Sequence, residues 1–400
     1  MDYAFSDMTG RLKRSAIREL LKLTRLPDII SFAGGLPDPK TFPYEAIEKA
    51  ASRALREKGD LALQYSPTEG DPFLKEELAN FMTRQGEKVK PEDVFITTSS
   101  QQGLDLLAKV FINPKDPVIL EMPSYVGGLQ SFRSFEVDFH GIRMDYEGII
   151  PEQLEETVTK LMNAGRKPKF VYLIPDFQNP SGITLTMERR KKVLEIASKH
   201  DLLIVEDSPY RELRYKGDLL PSLFSMDKEG RVVYLKTFSK IFCSGFRIGW
   251  VLGPEEVLDK MIIAKQSADL CTSSFVSILS AYFIQEGHLE KQIEVCKERY
   301  ARKAKIMLDA FDKYFPQLEG LSWSKPEGGM FLWIILPEYM DASELFKEAV
   351  EQKVAYVTGA AFHHDGSGKN TIRFNYSYPT EEQIEQGVER FSKVIKKFAK

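Results

Sequence analysis

Arg231-Val232-Val233-Tyr234-Leu235-Lys236-Thr237-Phe238-Ser239-Lys240 is followed, seven residues on, by Arg247 and then by Ile248-Gly249-Trp250-Val251-Leu252. Val232–Leu235 and Ile248–Leu252 are short, aliphatic and β-branched, which is the composition of buried strands. Between them lie three hydroxyls, two lysines and an arginine. Working outward, Val94–Thr97, Pro117–Glu121, Phe170–Ile174 and Leu202–Val205 are runs of the same kind, and amphipathic helical stretches such as Glu188–His200 separate several of them. Strands that alternate with helices predict an α/β chain built on a mainly parallel, doubly wound sheet. In such a sheet the ligand lies beyond the carboxyl ends of the strands. After about residue 290 the pattern changes to a long charged helix, then Met330–Ile335, a helix, Val354–Val357, Thr371–Tyr376 and a closing helix at 380–399. This predicts a smaller α+β domain, with which the N-terminal segment packs. The expected division is 1–44 as N-terminal helix and arm, 45–290 as large domain and 291–400 as small domain.

Composition narrows the classes of partner. Lys and Arg number 55 against 58 Asp and Glu, so no basic surface for nucleic acid is expected. Cys243, Cys271 and Cys296 are too few and too scattered for a disulfide framework or a metal motif, which fits a reducing compartment. No apolar run approaches the length of a membrane helix, and Met1-Asp2-Tyr3-Ala4 does not open a signal peptide. The cytoplasm is the expected location, and neither a membrane nor a nucleic acid is an expected partner.

Four polar clusters follow predicted strand ends: Ser99-Ser100-Gln101-Gln102, Asn179-Pro180-Ser181-Gly182, Asp207-Ser208-Pro209-Tyr210 and Thr237-Phe238-Ser239-Lys240. A single Ser opening a helix is commonly only an N-cap, and a strand-end Asp commonly only begins a loop. Their combination carries more. A hydroxyl-rich turn opening a helix offers N–H donors and a favourable dipole to a phosphate. Thr237 and Ser239 add hydroxyls, and Arg247 adds a permanently charged donor fork. A lysine beside such a site can form an imine with an aldehyde-bearing cofactor. A buried Asp at a neighbouring strand end can hold a pyridine nitrogen protonated, and Tyr125 can stack on a flat ring.

These motifs, in this order and spacing, resemble the fold-type I pyridoxal-phosphate (PLP) aminotransferases of class I/II. Thr237–Trp250 resembles that family's lysine motif, Asp207–Tyr210 its Asp-x-x-Tyr, Asn179–Gly182 its Asn-Pro-Thr/Ser-Gly, Ser99–Gln102 its phosphate turn, and Asn370–Arg373 the segment bearing the arginine for the substrate α-carboxylate. The resemblance runs from about residue 14 to the C-terminus. It implies a large PLP domain with a seven-stranded sheet, a homodimer, and amino transfer from an L-amino acid to a 2-oxo acid such as 2-oxoglutarate. It also implies residue roles. Lys240 carries the cofactor as a Schiff base and moves the proton, Asp207 pairs with the pyridine nitrogen, and Tyr210 and Asn179 bond the ring oxygen. Tyr125 stacks on the ring, and Ser99, Ser100, Gln101, Thr237, Ser239 and Arg247 form the phosphate site. Arg373, with Asn179 and the backbone at Gly35, holds the α-carboxylate, while Tyr65 reaches the phosphate of the neighbouring subunit.

The sequence departs from the family pattern at Ser99, where Gly is usual, at Ser244 and at Thr358, where Pro is frequent. These bear on loop geometry and remove no reacting group. His363-His364 lacks a third spaced ligand and is expected to be a solvated loop. Cys243 is not expected to be an activated thiol, and Gly328-Gly329 is expected to be a tight turn. A lyase or decarboxylase on the same scaffold would carry the same lysine and aspartate. A ligand-sensing module of a transcriptional regulator is a further alternative, disfavoured because the motifs begin within the first few dozen residues. Ile17–Leu23 and Ser31–Pro37 resemble the branch holding 2-aminoadipate and kynurenine/aromatic aminotransferases. In that branch an N-terminal helix, expected here at 12–24, covers the pocket. The resemblance places Arg18 on it as a partner for a distal substrate carboxylate.

Overall fold

The computed structural model describes residues 1, 3–12 and 28–400. The expected helix at 12–24, Arg18 included, therefore lies outside the described residues apart from Leu12.

The first strand, β1 (Ile30–Ser31), stands apart from the large sheet. That sheet contains eight strands: β2 (Phe95–Thr97), β3 (Pro117–Met122), β4 (Asp138–Asp145), β5 (Gly148–Ile149), β6 (Val171–Leu173), β7 (Ile204–Asp207), β8 (Val232–Thr237) and β9 (Gly249–Leu252). Their order across the sheet is β2-β9-β8-β7-β6-β3-β4-β5. Pairing from β8 through β7, β6 and β3 to β4 is parallel, and β9 runs antiparallel to both β8 and β2. The eighth strand corrects the expected seven: β5 is a two-residue hairpin partner added to β4 at the edge. The apolar runs did not announce β4, because Asp138-Phe139-His140-Gly141-Ile142-Arg143-Met144-Asp145 is half-exposed and reads as alternation instead. Helices cover both faces, as βαβ crossovers require. One of them, Met187–Lys199, is offset by one residue from the predicted amphipathic stretch, and its Thr186 cap accepts from Arg189 N–H.

The small domain holds a four-stranded antiparallel sheet made of β10 (Ser322–Trp323), β11 (Phe331–Ile335), β13 (Val357–Thr358) and β14 (Thr371–Asn375), in the order β10-β11-β14-β13. The N-terminal arm joins it directly: β1 pairs in parallel with β12 (Val354–Ala355), and Asn375 N–H donates to Phe32 O. Gly34–Pro37 then runs toward the large sheet. Its anchor is Asp38, a buried carboxylate paired with Arg299 and with Lys303 (2.6 Å) on the 27-residue helix His288–Tyr314. Gly328-Gly329 is not the tight turn expected: Gly328 forms an isolated antiparallel bridge with Arg214, and the chain bends at Gly329. Gly329 has φ +74°, and a Cβ on Gly328 would lie 2.3 Å from the Phe177 ring, so only bare backbone fits there. Among the described residues no helix is long and apolar enough to cross a membrane.

Candidate active site

The parallel strands β3, β6, β7 and β8 end at one edge of the sheet, and β9, being antiparallel, begins there. That topology brings Tyr125, Asn179, Asp207, Tyr210, Thr237, Ser239, Lys240 and Arg247 to one cavity of about 650 Å³. Ser99, Ser100, Gln101, Gly35, Phe331 and Arg373 complete most of its lining. The site residues expected of the chain's own pocket line it, apart from Arg18, which lies outside the described residues. Tyr65 is not in the lining and is 77% exposed.

Ser99 opens the helix Ser99–Phe111 with φ +68°, a left-handed conformation that glycine adopts without strain and serine does not. This is the position where the sequence departs from the family's glycine. The turn also needs Gly249 beneath it: a Cβ there would lie 2.5 Å from Ser100 N. Ser99, Ser100 and Gln101, the first turn of the helix, line the cavity, and the N-terminus of a helix favours an anion. Thr237 Oγ1 and Ser239 Oγ lie 2.9 Å apart, and Arg247 Nη1 donates to Ser239 Oγ (3.3 Å), so hydroxyls and guanidinium converge on the same end. The Gln101 side chain is engaged elsewhere. Its Nε2 donates to Ser131 Oγ (2.9 Å) and its Oε1 accepts from Tyr125 O–H (3.2 Å), so it positions the Tyr125 ring, and only its backbone is left for an anion.

At the other end Arg373 on β14 is fully buried. Its Nη1 donates to Asn179 Oδ1 (2.8 Å) and its Nη2 to Ala33 O (2.7 Å), while its guanidinium lies 4.4 Å from the Phe331 ring centroid and 5.0 Å from that of Phe362. Burial pushes its pKa down to about 10, which leaves it charged at neutral pH. Asn179 Nδ2 donates to the Tyr210 hydroxyl oxygen (3.3 Å), linking the arginine to the tyrosine. Lys240 Nζ donates to Gly35 O (2.8 Å). Burial, then Arg373 and Arg247, push the Lys240 ammonium down to about 8. Asp207, at the end of β7, is pushed up to about 7 by burial. Its Oδ2 accepts from the O–H of Tyr172 (2.9 Å), a residue that no sequence motif singles out.

Two further buried groups have no sequence signal either. Glu121, pushed up to about 8 by burial, accepts from Ile174 N–H (3.0 Å) and Gln178 Nε2 (3.3 Å), tying the end of β3 to the Asn179 loop. Lys236 and Glu212 form a buried ion pair that braces the Tyr210 segment against β8. Neither follows a motif; only the tertiary contact reveals them. Cys243 is buried, and its thiol is pushed up to about 12, the opposite of activation. His363 and His364 are not the solvated loop expected of them. Both are half-buried: His363 Nδ1 lies 2.9 Å from Gly359 O, and His364 packs against Phe139 on β4. The packing of the small-domain loop onto β4 withdraws them from water. Among the described residues no cluster of three or more His, Cys, Asp or Glu is placed to hold a metal.

The family model for "Aminotransferase class I and II" matches residues 27–391. The chain belongs to the class I and II aminotransferases. This aminotransferase is 44% identical to an aromatic-amino-acid aminotransferase of Thermococcus litoralis, over 99% of this chain and 95% of the relative. It is 42% identical to a 2-aminoadipate transaminase of Thermus thermophilus, over 98% and 96%. Its fold matches that of a Pyrococcus horikoshii kynurenine aminotransferase, solved with PMP, with a TM-score of 0.95 at 44% identity, over 99% of this chain and 98% of that one. The cofactor is pyridoxal 5′-phosphate, and the site fits it. Asp207 Oδ1 and Arg373 Nε are buried without a hydrogen-bond partner among the described residues, and both side chains line the cavity. An acceptor, a phosphate cradle and a lysine in one cavity are the set of groups that a phosphorylated pyridine aldehyde requires.

Proposed function

We propose that this aminotransferase transfers the amino group of an L-amino acid with a long or aromatic side chain, 2-aminoadipate and glutamate included, to 2-oxoglutarate in a ping-pong cycle. The observation that carries this reading is the convergence of Lys240, Asp207, Arg247 and Arg373 on one cavity. Bound there, pyridoxal phosphate supplies an aldehyde carbon for amine exchange and a ring that accepts electrons from the substrate α-carbon. The chain does the rest. Ser100, Thr237, Ser239, Arg247 and the Ser99–Gln101 backbone would hold the phosphate, and Tyr125 would cover the ring. Asp207 would hold a proton on the ring nitrogen, and Tyr210 with Asn179 would bond the ring oxygen. Arg373 would fix the substrate carboxylate with its fork, and Lys240 would carry the proton to and from the α-carbon. The test is product analysis across a panel of amino donors with 2-oxoglutarate. Glutamate and the matching 2-oxo acid should form in equal amounts. Release of carbon dioxide or of a fragment of the side chain would establish a lyase or decarboxylase instead.

The subunit plan belongs to the same proposal. Tyr65, exposed and outside its own chain's cavity, would reach the phosphate of a second copy in a homodimer. Residues 1–44, 45–290 and 291–400 would divide as arm, large domain and small domain, a reading supported by the pairing of β1 with β12 and by the two separate sheets.

Arg18 is proposed as the reader of a distal carboxylate. Among the described residues lining the cavity, the only cations are Lys240, Arg247 and Arg373, and each has another task. The remaining wall includes Leu12, Leu36, Gln130 and Ser134, a mix of apolar and uncharged polar groups that offers a second carboxylate no cation. Arg18→Ala should therefore lower kcat/KM for glutamate and 2-aminoadipate by about 1.5–3 kcal/mol, the scale of a hydrogen bond to a charged group, and leave aromatic donors nearly unchanged. Equal losses for both classes would rule out a selective role.

A further inference from the structure

We infer that Tyr172 is a positioning residue for the reaction: it holds Asp207 in the one orientation that leaves Oδ1 free for the ring nitrogen. The inference rests on the proposed role of Asp207.

Tyr172 lies on β6, next to β7, in register with Val205. Alternation along the strands puts Tyr172, Val205 and Asp207 on the same face of the sheet. From there the phenol reaches Asp207 Oδ2 at 2.9 Å, while Oδ1 has no partner among the described residues. A carboxylate with one oxygen held and the other open has its rotamer chosen for it. Tyr172 itself is fully buried and does not line the cavity, so it acts through Asp207 and not on the substrate.

The ring is fixed in turn. Phe132 packs edge-on at 5.4 Å and 83°, and the bare Gly128 backbone leaves room: a Cβ there would stand 3.1–3.2 Å from the tyrosine Cε1, Cζ and hydroxyl. The direction of the proton is settled by burial, which raises the phenol's pKa well above its ordinary value, so Tyr172 remains the donor and Asp207 the acceptor. Burial also works against the Asp207 charge, and Tyr172 and Lys240 work for it. Tyr125 and Glu121 are the other titratable groups acting on the Tyr172 phenol. A buried tyrosine of purely structural use also needs a partner for its hydroxyl. Tyr356 and Tyr376 satisfy theirs with the carbonyls of Ala342 and Gly328. Tyr172 instead spends its single proton on the carboxylate that the chemistry needs ionised.

Tyr172→Phe removes that donor and nothing else. In the holoenzyme kcat should fall roughly 10- to 100-fold, the range of a lost hydrogen bond to a charged group, while KM for the amino donor stays within about twofold, because Arg373 sets it. Titration of the apoprotein with PLP should show a several-fold weaker dissociation constant, with the thermal midpoint of the apoprotein little changed. In an Asp207→Asn background the same substitution should weaken PLP binding no further. Unchanged kcat and PLP affinity in Tyr172→Phe, or a second full loss in the double variant, would overturn the inference. An Asp207→Asn protein with normal PLP affinity and turnover would overturn the role of Asp207 itself.

Discussion

Lys240→Ala is expected to lower kcat by at least about four orders of magnitude, since one substitution removes both the covalent attachment and the proton carrier. The structure explains why no neighbour substitutes for it. Lys240 Nζ reaches across the cavity to Gly35 O at 2.8 Å, and the other cations in the described lining, Arg247 and Arg373, cannot lose a proton at working pH. Burial and those two arginines push the Lys240 ammonium down to about 8, so a useful fraction is the free amine at neutral pH. Cofactor retention is a separate matter, because the hydroxyls of Thr237 and Ser239, the Arg247 fork and the helix N-terminus at Ser99 remain. The variant should thus still bind PLP in equilibrium dialysis. Borohydride reduction followed by peptide mapping should place the cofactor mass on the peptide containing Lys240 in the wild-type protein and on no peptide of the variant. A label on another lysine, or turnover within tenfold of wild type, would sink the assignment.

Arg373→Ala is expected to lower kcat/KM for α-amino acids by about 10²- to 10⁴-fold, the value of two charge-assisted hydrogen bonds at roughly 1.5–3 kcal/mol each. The guanidinium is held from behind by Asn179 Oδ1 and Ala33 O and on its faces by Phe331 and Phe362. Its fork is therefore oriented before substrate arrives. Arg373→Lys keeps a charge but loses the fork and the flat stacking surface, so it should recover only part of the loss. A primary amine without a carboxylate is the control: its slow turnover should be nearly indifferent to either substitution. If amine turnover falls as far as amino-acid turnover, Arg373 supports the fold and the Asn179–Tyr210 link, and carboxylate recognition lies elsewhere.

Both substitutions fall on positions legible in the amino-acid sequence, and for Lys240 the reason is local. Thr237-Phe238-Ser239-Lys240 and Asp207-Ser208-Pro209-Tyr210 directly follow buried strands, and a strand rich in Val, Leu and Ile is recognisable from a few residues. Arg373 was legible through its motif, Asn370-Thr371-Ile372-Arg373. Strand β4 was not legible, since a half-exposed strand near the edge carries no apolar run. Ser99 shows the boundary between the two kinds of information. Its departure from glycine is visible in the sequence, but the left-handed φ of +68° that makes the departure costly, and the Gly249 backbone packed beneath the turn, are not.

The amino-acid sequence by itself determined the α/β class and the small second domain, because each depends on composition and periodicity within a few residues, and it carried the lysine and the order of the motifs through their resemblance to the family. Tertiary structure alone decided that Tyr172 meets Asp207, that Gln101 turns its side chain to Tyr125, that Glu121 supports the Asn179 loop, and that two phenylalanines enclose Arg373. The first three are pairings between residues 24 to 57 positions apart, while Arg373 meets Phe331 across adjacent antiparallel strands and Phe362 from the segment before its own strand. No short-range pattern encodes them, because the free energy that selects them is the cost of burying a polar group without a partner, and that cost arises only once the chain has closed around it.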